Sequence, residues 1–584
     1  MRFLQRPAFR NLAVLSFFLL ALALKFAPVW EAGSSRAVPV SLRGSSMEQM
    51  LPKHRATTKG DVTFYTWLSA RNARTLVTHP LRLFDAEHCA PTEKALALSA
   101  PGITLGLYGI PAVIATGDPI FTYNTVVAAM ILIAAFAMYL LVAEWTGSAA
   151  AGVIGGLLYA FHSVRLDRIT WVAEMDTTWV VFALLVSRRL FETWRWSDAL
   201  LLAIVCCLQM ATSFYSLLSS ALLGVCFLVW LVASHGVRPV KPSRLVLVLV
   251  MLSAVAALLF GPYLDLRSGD VLFDRRYRTP MPLSAYLPGK PFFLGYTLLA
   301  LALSAFVGGR RGLDVRRRGD PRWAMLAALV VIALVAADWS LALQARALWP
   351  DLPLSPPNFY ALLAHVLPGL RNIRVVHLIA SGVHLAACVL AGIGAAALIR
   401  RCGRWQAAAA TALIAVSFLD VMGPRLPGIN VSSQLEGIDV QPDPERIAFS
   451  ERLGRLEEKG AMIELPIRGA FEPERVLLSF YHRRRTSGCY SSYPTEAREA
   501  LTELVRLPLG SEAIRGVRRH GFTTIVVRTV SPLGAAYDRA LTRLASAPRP
   551  IVERVLHASG LSAYEILLPA NGNGRDEPRS GDVP

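Results

Sequence analysis

The chain has 584 residues, 54% of them hydrophobic and only 17% charged, with 60 lysines and arginines set against 41 acidic residues. Several apolar runs exceed the roughly 20 residues a helix needs to cross a bilayer, which excludes an ordinary soluble protein. The formal net charge of +19 falls in short clusters between those runs, which excludes the single basic patch of a nucleic-acid binder.

In chain order, Arg2, Arg6 and Arg10 precede an apolar run from Leu12 to Trp30. The run is long for a signal peptide and lacks a small-residue cleavage motif, so it is expected to be an uncleaved first span that enters from the inside. Next comes a polar run, Lys59 to Pro91. In it Asp61 follows Gly60, and Tyr65, Trp67, Arg71 and Arg74 complete an amphipathic pattern. The spacing leaves two readings of Asp61 open: the N-cap of a helix starting at Val62, or a functional carboxylate. The stretch 95–116 is apolar but holds Pro101, Gly102, Gly106, Gly109 and Pro111. It is expected to be a broken interfacial or re-entrant segment, which is tolerated at membrane depth only against protein or a wet cavity.

Further spans are predicted at 121–143, 149–164, 172–190, 198–214, 217–234, 245–263, 291–308, 323–343, 376–399 and 405–422, which makes eleven with the first. If 95–116 does not cross, the loops on the N-terminal side carry Arg188, Arg189 and Arg195, then Arg238, Lys241 and Arg244, then a cluster from Arg310 to Arg322, then Arg400, Arg401 and Arg404. That is the cytoplasmic bias of Lys and Arg. It predicts a cytoplasmic N-terminus, and it places 31–120, the turn Val164–Asp176 and the loops 264–290 and 344–375 outside. After Met422 the chain turns polar. Strands at Ala461–Pro466, Thr524–Arg528 and Ser562–Leu568, with helices at 495–506, 511–520 and 534–546, predict a small extracytoplasmic α/β domain over 424–569, followed by a disordered tail, 570–584.

The outer face holds carboxylates at Asp61, Asp85, Glu87, Asp167, Glu174 and Asp176. A sugar transfer needs a base for the acceptor proton and positive charge for a phosphate leaving group, and a carboxylate and arginines meet those needs. Arg275, Arg276, Arg278, Arg371 and Arg374 lie in outer loops against the orienting bias, which makes them candidates for a phosphate clamp, or alternatively partners of Asp265, Asp270, Asp274 or lipid headgroups. Between Arg165 and Arg168, Asp167 reads as a local ion pair. Glu174 and Asp176 read as solvated charges, and Trp67, Trp171 and Trp179 as interface anchors or sugar platforms. The seven cysteines have no metal-ligand spacing, and no metal is implied. Cys89 and Cys489 both fall outside, so a disulfide between them is allowed.

A first span, an outer loop opening with Gly60-Asp61 and a nearby Tyr65 and Trp67, an interfacial segment and a span starting near Asn124 together resemble the GT-C superfamily of membrane glycosyltransferases. The resemblance extends to Leu367-Pro368-Gly369-Leu370 before Arg371 and Arg374, to Glu464-Leu465-Pro466, and to Ser487-Gly488-Cys489-Tyr490. It implies an α-helical polytopic protein with interfacial helices. It also implies transfer of a sugar from a polyprenyl-phosphate donor to a glycan, lipid or protein acceptor, with the lipid-linked sugar as substrate. By position Asp61 becomes the catalytic carboxylate and Asp167 or Asp176 its helper. Tyr65, Trp67 and the five arginines then contribute to substrate binding. Where some members carry a second acid after the first, this chain has Val62, and Val375-Val376-His377 departs from the pattern after Arg374.

Overall fold

The computed structural model describes residues 7–41, 52–235, 241–267, 281–307, 320–338, 360, 363, 375–426, 428–457, 460–467, 472–491, 493, 495–558 and 560–567. Among them, eight helices are long and apolar enough to cross a membrane: Ala8–Glu31, Pro119–Thr146, Ala149–Leu166, Ile169–Thr193, Phe214–Ser234, Pro242–Leu266, Val376–Arg401 and Gly403–Met422. The chain is a helical polytopic membrane protein. Four shorter apolar helices, Ile103–Thr116, Trp196–Met210, Tyr296–Val307 and Arg322–Ala336, accompany them. Three of these coincide with expected spans. At 1.5 Å per residue, a helix of about 15 residues covers about 22 Å, less than the roughly 30 Å of a bilayer core.

The chain divides into two compact units. The first comprises Met1–Leu83, Ala100–Asp265 and Phe273–Gln441. It opens with α1 (Pro7–Glu31), β1 (Ala37–Ser41) and α2 (Pro52–Thr78). The broken segment follows: a 3-10 turn at Ala95–Leu98 belongs to the second unit, and α3 (Ile103–Thr116) to the first. A Cβ on Gly106 of α3 would stand 2.8 Å from the Asn72 Cβ and 2.9 Å from its backbone, so a glycine is what lets α2 and α3 lie this close. α4 (Pro119–Thr146) starts on a cap in which Asp118 accepts from the Ile120 and Phe121 amides, and α5 (Ala149–Ala160) starts on Ser148. Gly156 of α5 is equally constrained, since a Cβ there would meet the Ala135 carbonyl at 2.6 Å and the Phe18 ring at 2.5 Å. Beyond α5 the chain makes short helical turns at Ser163–Leu166, Ile169–Trp171 and Val172–Met175 before α6 (Thr178–Thr193).

The soluble region was expected to begin at 424, but the chain stays with the first unit to Gln441. The reason is β2 (Leu435–Asp439), which pairs antiparallel with β1 from Ala37↔Asp439 to Ser41↔Leu435.

The second unit comprises Phe84–Ser99, Leu266–Leu272 and Pro442–Pro584. Four strands, β3 (Ala461–Leu465), β4 (Phe522–Arg528), β5 (Val552–Ala558) and β6 (Leu561–Ile566), form one sheet in the order β3-β4-β6-β5, with β3 and β4 parallel and the remaining pairs antiparallel. Alternation along β3 and β4 sends Ile463, Leu465, Ile525 and Val527 to one face. There they meet Leu501, Ile514, Val517, Tyr537 and Leu541 from the helices Glu496–Leu504, Ser511–Arg519 and Pro532–Ala545. Met462 and Val526 face the other way, onto Phe449 and Leu453 of the helix Pro444–Arg455. Cys89 and Cys489, 4.4 Å apart at Cα, form a disulfide within this unit.

Candidate functional site

The helix carrying Asp61 has already begun at Pro52 and runs unbroken to Thr78. Asp61 is therefore a mid-helix residue, and the N-cap reading is overturned. Residues 61, 65, 68 and 72 recur at i, i+4, i+7 and i+11, so Asp61, Tyr65, Leu68 and Asn72 share one face of α2. Two helix hydroxyls are used internally, Thr63 donating to the Lys59 carbonyl and Thr66 to the Val62 carbonyl, both at 2.7 Å.

The face meets the short turns at 169–175. Trp171 Nε1 donates to Asp61 Oδ2 at 2.9 Å, and Tyr65 Oη donates to Glu174 Oε1 at 2.5 Å. The bonds are crossed: α2 offers an acceptor and a donor four residues apart, and the turn a donor and an acceptor three residues apart. Asp61 and Trp171 are half-buried, while Tyr65 and Glu174 are buried. The site thus grades from a half-buried carboxylate to one enclosed by protein. Burial, the Glu174 carboxylate and then Asp61 push the Tyr65 phenol well above its ordinary range, so it remains a proton donor. Tyr123 of α4 steadies the turn, its hydroxyl 3.3 Å from the Ile169 carbonyl.

The other acids predicted for the site lie in different settings. Asp176 is fully buried rather than solvated. It faces Arg165 at 3.7 Å, accepts from Tyr108 Oη at 3.2 Å, and caps α6 by accepting from the Thr178 amide at 3.0 Å. Glu174 is likewise buried, not solvated. Asp167 is held by residues distant in sequence. Its Oδ1 accepts from Ser41 at 2.6 Å and Ser433 at 2.7 Å, and Arg425 lies 3.5 Å from Oδ2, so it pins the β1–β2 ribbon. Arg168 instead donates to the Val164 and Pro291 carbonyls and lies 3.7 Å over the Phe292 ring. Trp67 is fully buried against Phe64, with no open face for a sugar, and Trp179 stacks on Tyr108 at 6.0 Å.

The structure therefore places Asp61 and Tyr65 on one face of α2, and it places Asp167, Asp176 and Trp67 in the other contacts just described. Arg275, Arg276, Arg278, Arg371 and Arg374 lie outside the described residues. The partners that sequence reasoning misassigned are Trp171 and Glu174. The available signal was the complementary spacing of Asp61-x-x-x-Tyr65 and Trp171-x-x-Glu174. Cys89 is spent in a disulfide, and among the described residues no three His, Cys, Asp or Glu side chains converge as a metal site. No family model matches the chain, and no curated protein matches it.

Proposed function

We propose that the chain is a membrane glycosyltransferase of GT-C architecture that moves a sugar from a polyprenyl-phosphate donor to an acceptor hydroxyl on the extracytoplasmic face. The observation that carries this reading is Asp61 itself. It is released from any capping duty, half-buried in the middle of a helix, and oriented by the indole of Trp171, with a buried Tyr65–Glu174 pair one turn further on. In the reaction, the Asp61 carboxylate takes the proton of the acceptor hydroxyl as its oxygen bonds to the anomeric carbon. The bond from that carbon to the phosphate oxygen breaks on the opposite side, its electron pair leaves with the polyprenyl phosphate, and the configuration inverts. Glu174, in place of Asp167 or Asp176, is the second acid at the centre. Arginines among Arg275, Arg276, Arg278, Arg371 and Arg374 neutralise the departing phosphate.

The reading takes the three short helices Trp196–Met210, Tyr296–Val307 and Arg322–Ala336 as spans that complete eleven. It assigns the arginine-rich loops to the cytoplasm of a bacterial inner membrane and the sheet-bearing C-terminal region to the outside as an α/β domain. A disulfide in that region supports an oxidising compartment.

The test is complementation of a deletion strain with wild type or Asp61→Asn, followed by profiling of envelope glycans and glycolipids. Loss of a sugar modification with Asp61→Asn at normal protein level is the expected result, a drop of about 10²- to 10⁴-fold for removal of a general base. Full restoration by Asp61→Asn points to a non-catalytic glycolipid-binding scaffold and overturns the reading. A lipid-translocation defect without a glycan defect points to a transporter.

A further inference from the structure

The turn that carries Trp171 and Glu174 has little regular structure to set its shape. A 3-10 turn at Ile169–Trp171 and one helical turn at Val172–Met175 end at Asp176, whose backbone is extended. Its closing local bonds are long or short-range, the Asp176 amide reaching the Ala173 carbonyl at 3.4 Å and the Thr177 amide the Met175 carbonyl at 3.1 Å. The surrounding helices supply what is missing. Among the described residues, α2, α3, α4 and α5 each send one tyrosine hydroxyl to a different residue of this turn. Tyr65 of α2 donates to Glu174 at 2.5 Å, Tyr108 of α3 to Asp176 Oδ2 at 3.2 Å and Tyr123 of α4 to the Ile169 carbonyl at 3.3 Å, while Tyr159 of α5 shares a 2.7 Å bond with Thr177 Oγ1. All four tyrosines are buried, and all the residues named belong to the first unit. Gln209 adds a fifth tie, donating to the Asp176 carbonyl at 2.9 Å and accepting from the Val180 amide at 3.1 Å.

A buried tyrosine joins a large apolar ring to one directional polar tip, so it fills a helical interior and still fixes a chosen atom. Leaving such a hydroxyl or its acceptor unpaired is costly, which makes each bond specific. The ties fall at the two ends of the turn as well as at its middle. Tyr123 holds Ile169 at one end, Tyr108 and Tyr159 hold Asp176 and Thr177 at the other, and between them lie Trp171 and Glu174, which bond Asp61 and Tyr65.

We propose that Tyr108 and Tyr159 are positioning residues of the Asp61 site: they hold the far end of the turn so that Trp171 and Glu174 meet α2 without rearrangement during the reaction. The proposal rests on the reading of Asp61 as the base. Neither tyrosine bonds to Asp61 or to Glu174; both act through the turn.

The experiment compares Tyr108→Phe and Tyr159→Phe, which keep the rings, with Tyr139→Phe. Tyr139 is fully buried in α4 and donates to Asn11 Oδ1 at 2.9 Å, about 24 Å along the helix from Tyr123 at 1.5 Å per residue, so it loses a hydroxyl of the same kind elsewhere. Two readouts are taken: amide exchange over 169–177 in the purified full-length protein, and the rate of sugar transfer in the complemented deletion strain, with Asp61→Asn alongside. Each of the two variants is expected to exchange about tenfold faster over 169–177. Each should also transfer sugar about 10²-fold more slowly, the cost of a displacement on the order of 1 Å, while Tyr139→Phe matches wild type in both readouts. Unchanged exchange in both variants overturns the proposal whatever Asp61 does. Faster exchange with wild-type transfer, where Asp61→Asn has lost it, overturns the positioning role, and so does an equal transfer defect in Tyr139→Phe. Full transfer by Asp61→Asn overturns the base itself and the positioning role with it, and the exchange readout still shows whether the hydroxyls hold the turn. Thr177→Val removes the same bond from its other side and should match Tyr159→Phe, with the double variant no worse than either, so a folding failure of one tyrosine variant leaves the result readable.

Discussion

Two regions of this molecule bury carboxylates by different means. In the second unit, Glu472 lies between Arg475 at 2.6 Å and Arg498 at 2.8 Å. Glu464 faces Arg475 at 3.5 Å and accepts from Thr486 Oγ1 at 2.5 Å. At the face of α2, Asp61 and Glu174 receive an indole N–H and a phenol O–H. A guanidinium fork occupies a carboxylate's lone pairs and holds it in place, which suits a structural element; burial nevertheless raises the Glu472 carboxyl above its ordinary range, against the pull of Arg475 and Arg498. A neutral donor orients the carboxylate without adding a counter-charge. Asp176, facing Arg165, and Asp167, facing Arg425, share the arginine-paired arrangement.

The contrast breaks if the arginine-paired acids prove dispensable for stability. Removing one partner from a buried ion pair leaves an uncompensated charge and costs about 3–5 kcal/mol. Glu472→Ala removes the carboxylate that faces Arg498 and the nearer of the two that face Arg475, so it is expected to lower the melting temperature of the purified full-length protein strongly and to expose the second unit to proteolysis. A melting temperature within a degree of wild type removes the structural reading of that network. Asp61→Asn belongs at the opposite pole, with the melt close to wild type and the activity gone.

A smaller effect sharpens the other side of the comparison. Tyr65→Phe removes the phenol that donates to Glu174 and keeps the ring's packing against Phe64, whose centroid lies 5.7 Å away. Losing a hydrogen bond to a buried charged group costs about 1–3 kcal/mol. If the pair serves the chemistry, that loss appears mainly as a lower rate of sugar transfer in complemented cells, with Tyr65→Phe intermediate between wild type and Asp61→Asn. If it appears only in the melt, the crossed bonds of α2 and the turn are scaffolding.

The long spans were legible because an apolar run of membrane length admits few other structures, and α1, α4 and the helix ending at Arg401 fall close to where the sequence places them. The setting of Asp61 was not legible, because Gly60-Asp61 before an apolar run has the same local signature whether the preceding residues are coil or helix. Only the continuation of α2 back to Pro52 decides it. Asp167 misled for a related reason. Arg165 and Arg168 are adjacent in sequence, whereas Ser41 and Ser433, which donate to it, lie 126 and 266 positions away. The place of Phe84–Ser99 in the C-terminal unit was legible only at Cys89 and Cys489, whose pairing the sequence allows, because the backbone bonds to Thr486 and Gly488 carry no sequence signal.

The smallest expected effect concerns an arginine-paired carboxylate nearer the surface. Burial alone would raise the Glu474 carboxyl, but Arg528 at 3.0 Å and Arg446 at 2.5 Å outweigh it and hold the group below the usual carboxylate range. A folded-state value below the unfolded one means that the contribution is complete above the unfolded value and is lost as pH falls through the folded one. Glu474→Gln is therefore expected to lower the melting temperature slightly at neutral pH and to converge with wild type as the solution is acidified below the carboxylate range. Glu474 and Arg446 are partly exposed, so added salt should shrink the difference, because screening acts on such pairs far more than on enclosed ones. The pair Glu472–Arg498 should resist the same salt titration. Equal salt sensitivity at the two positions would mean that the network around Glu472 is open to solvent, and the contrast between arginine-paired carboxylates and those bonded to neutral donors would then have to rest on Asp176 and Asp61 alone.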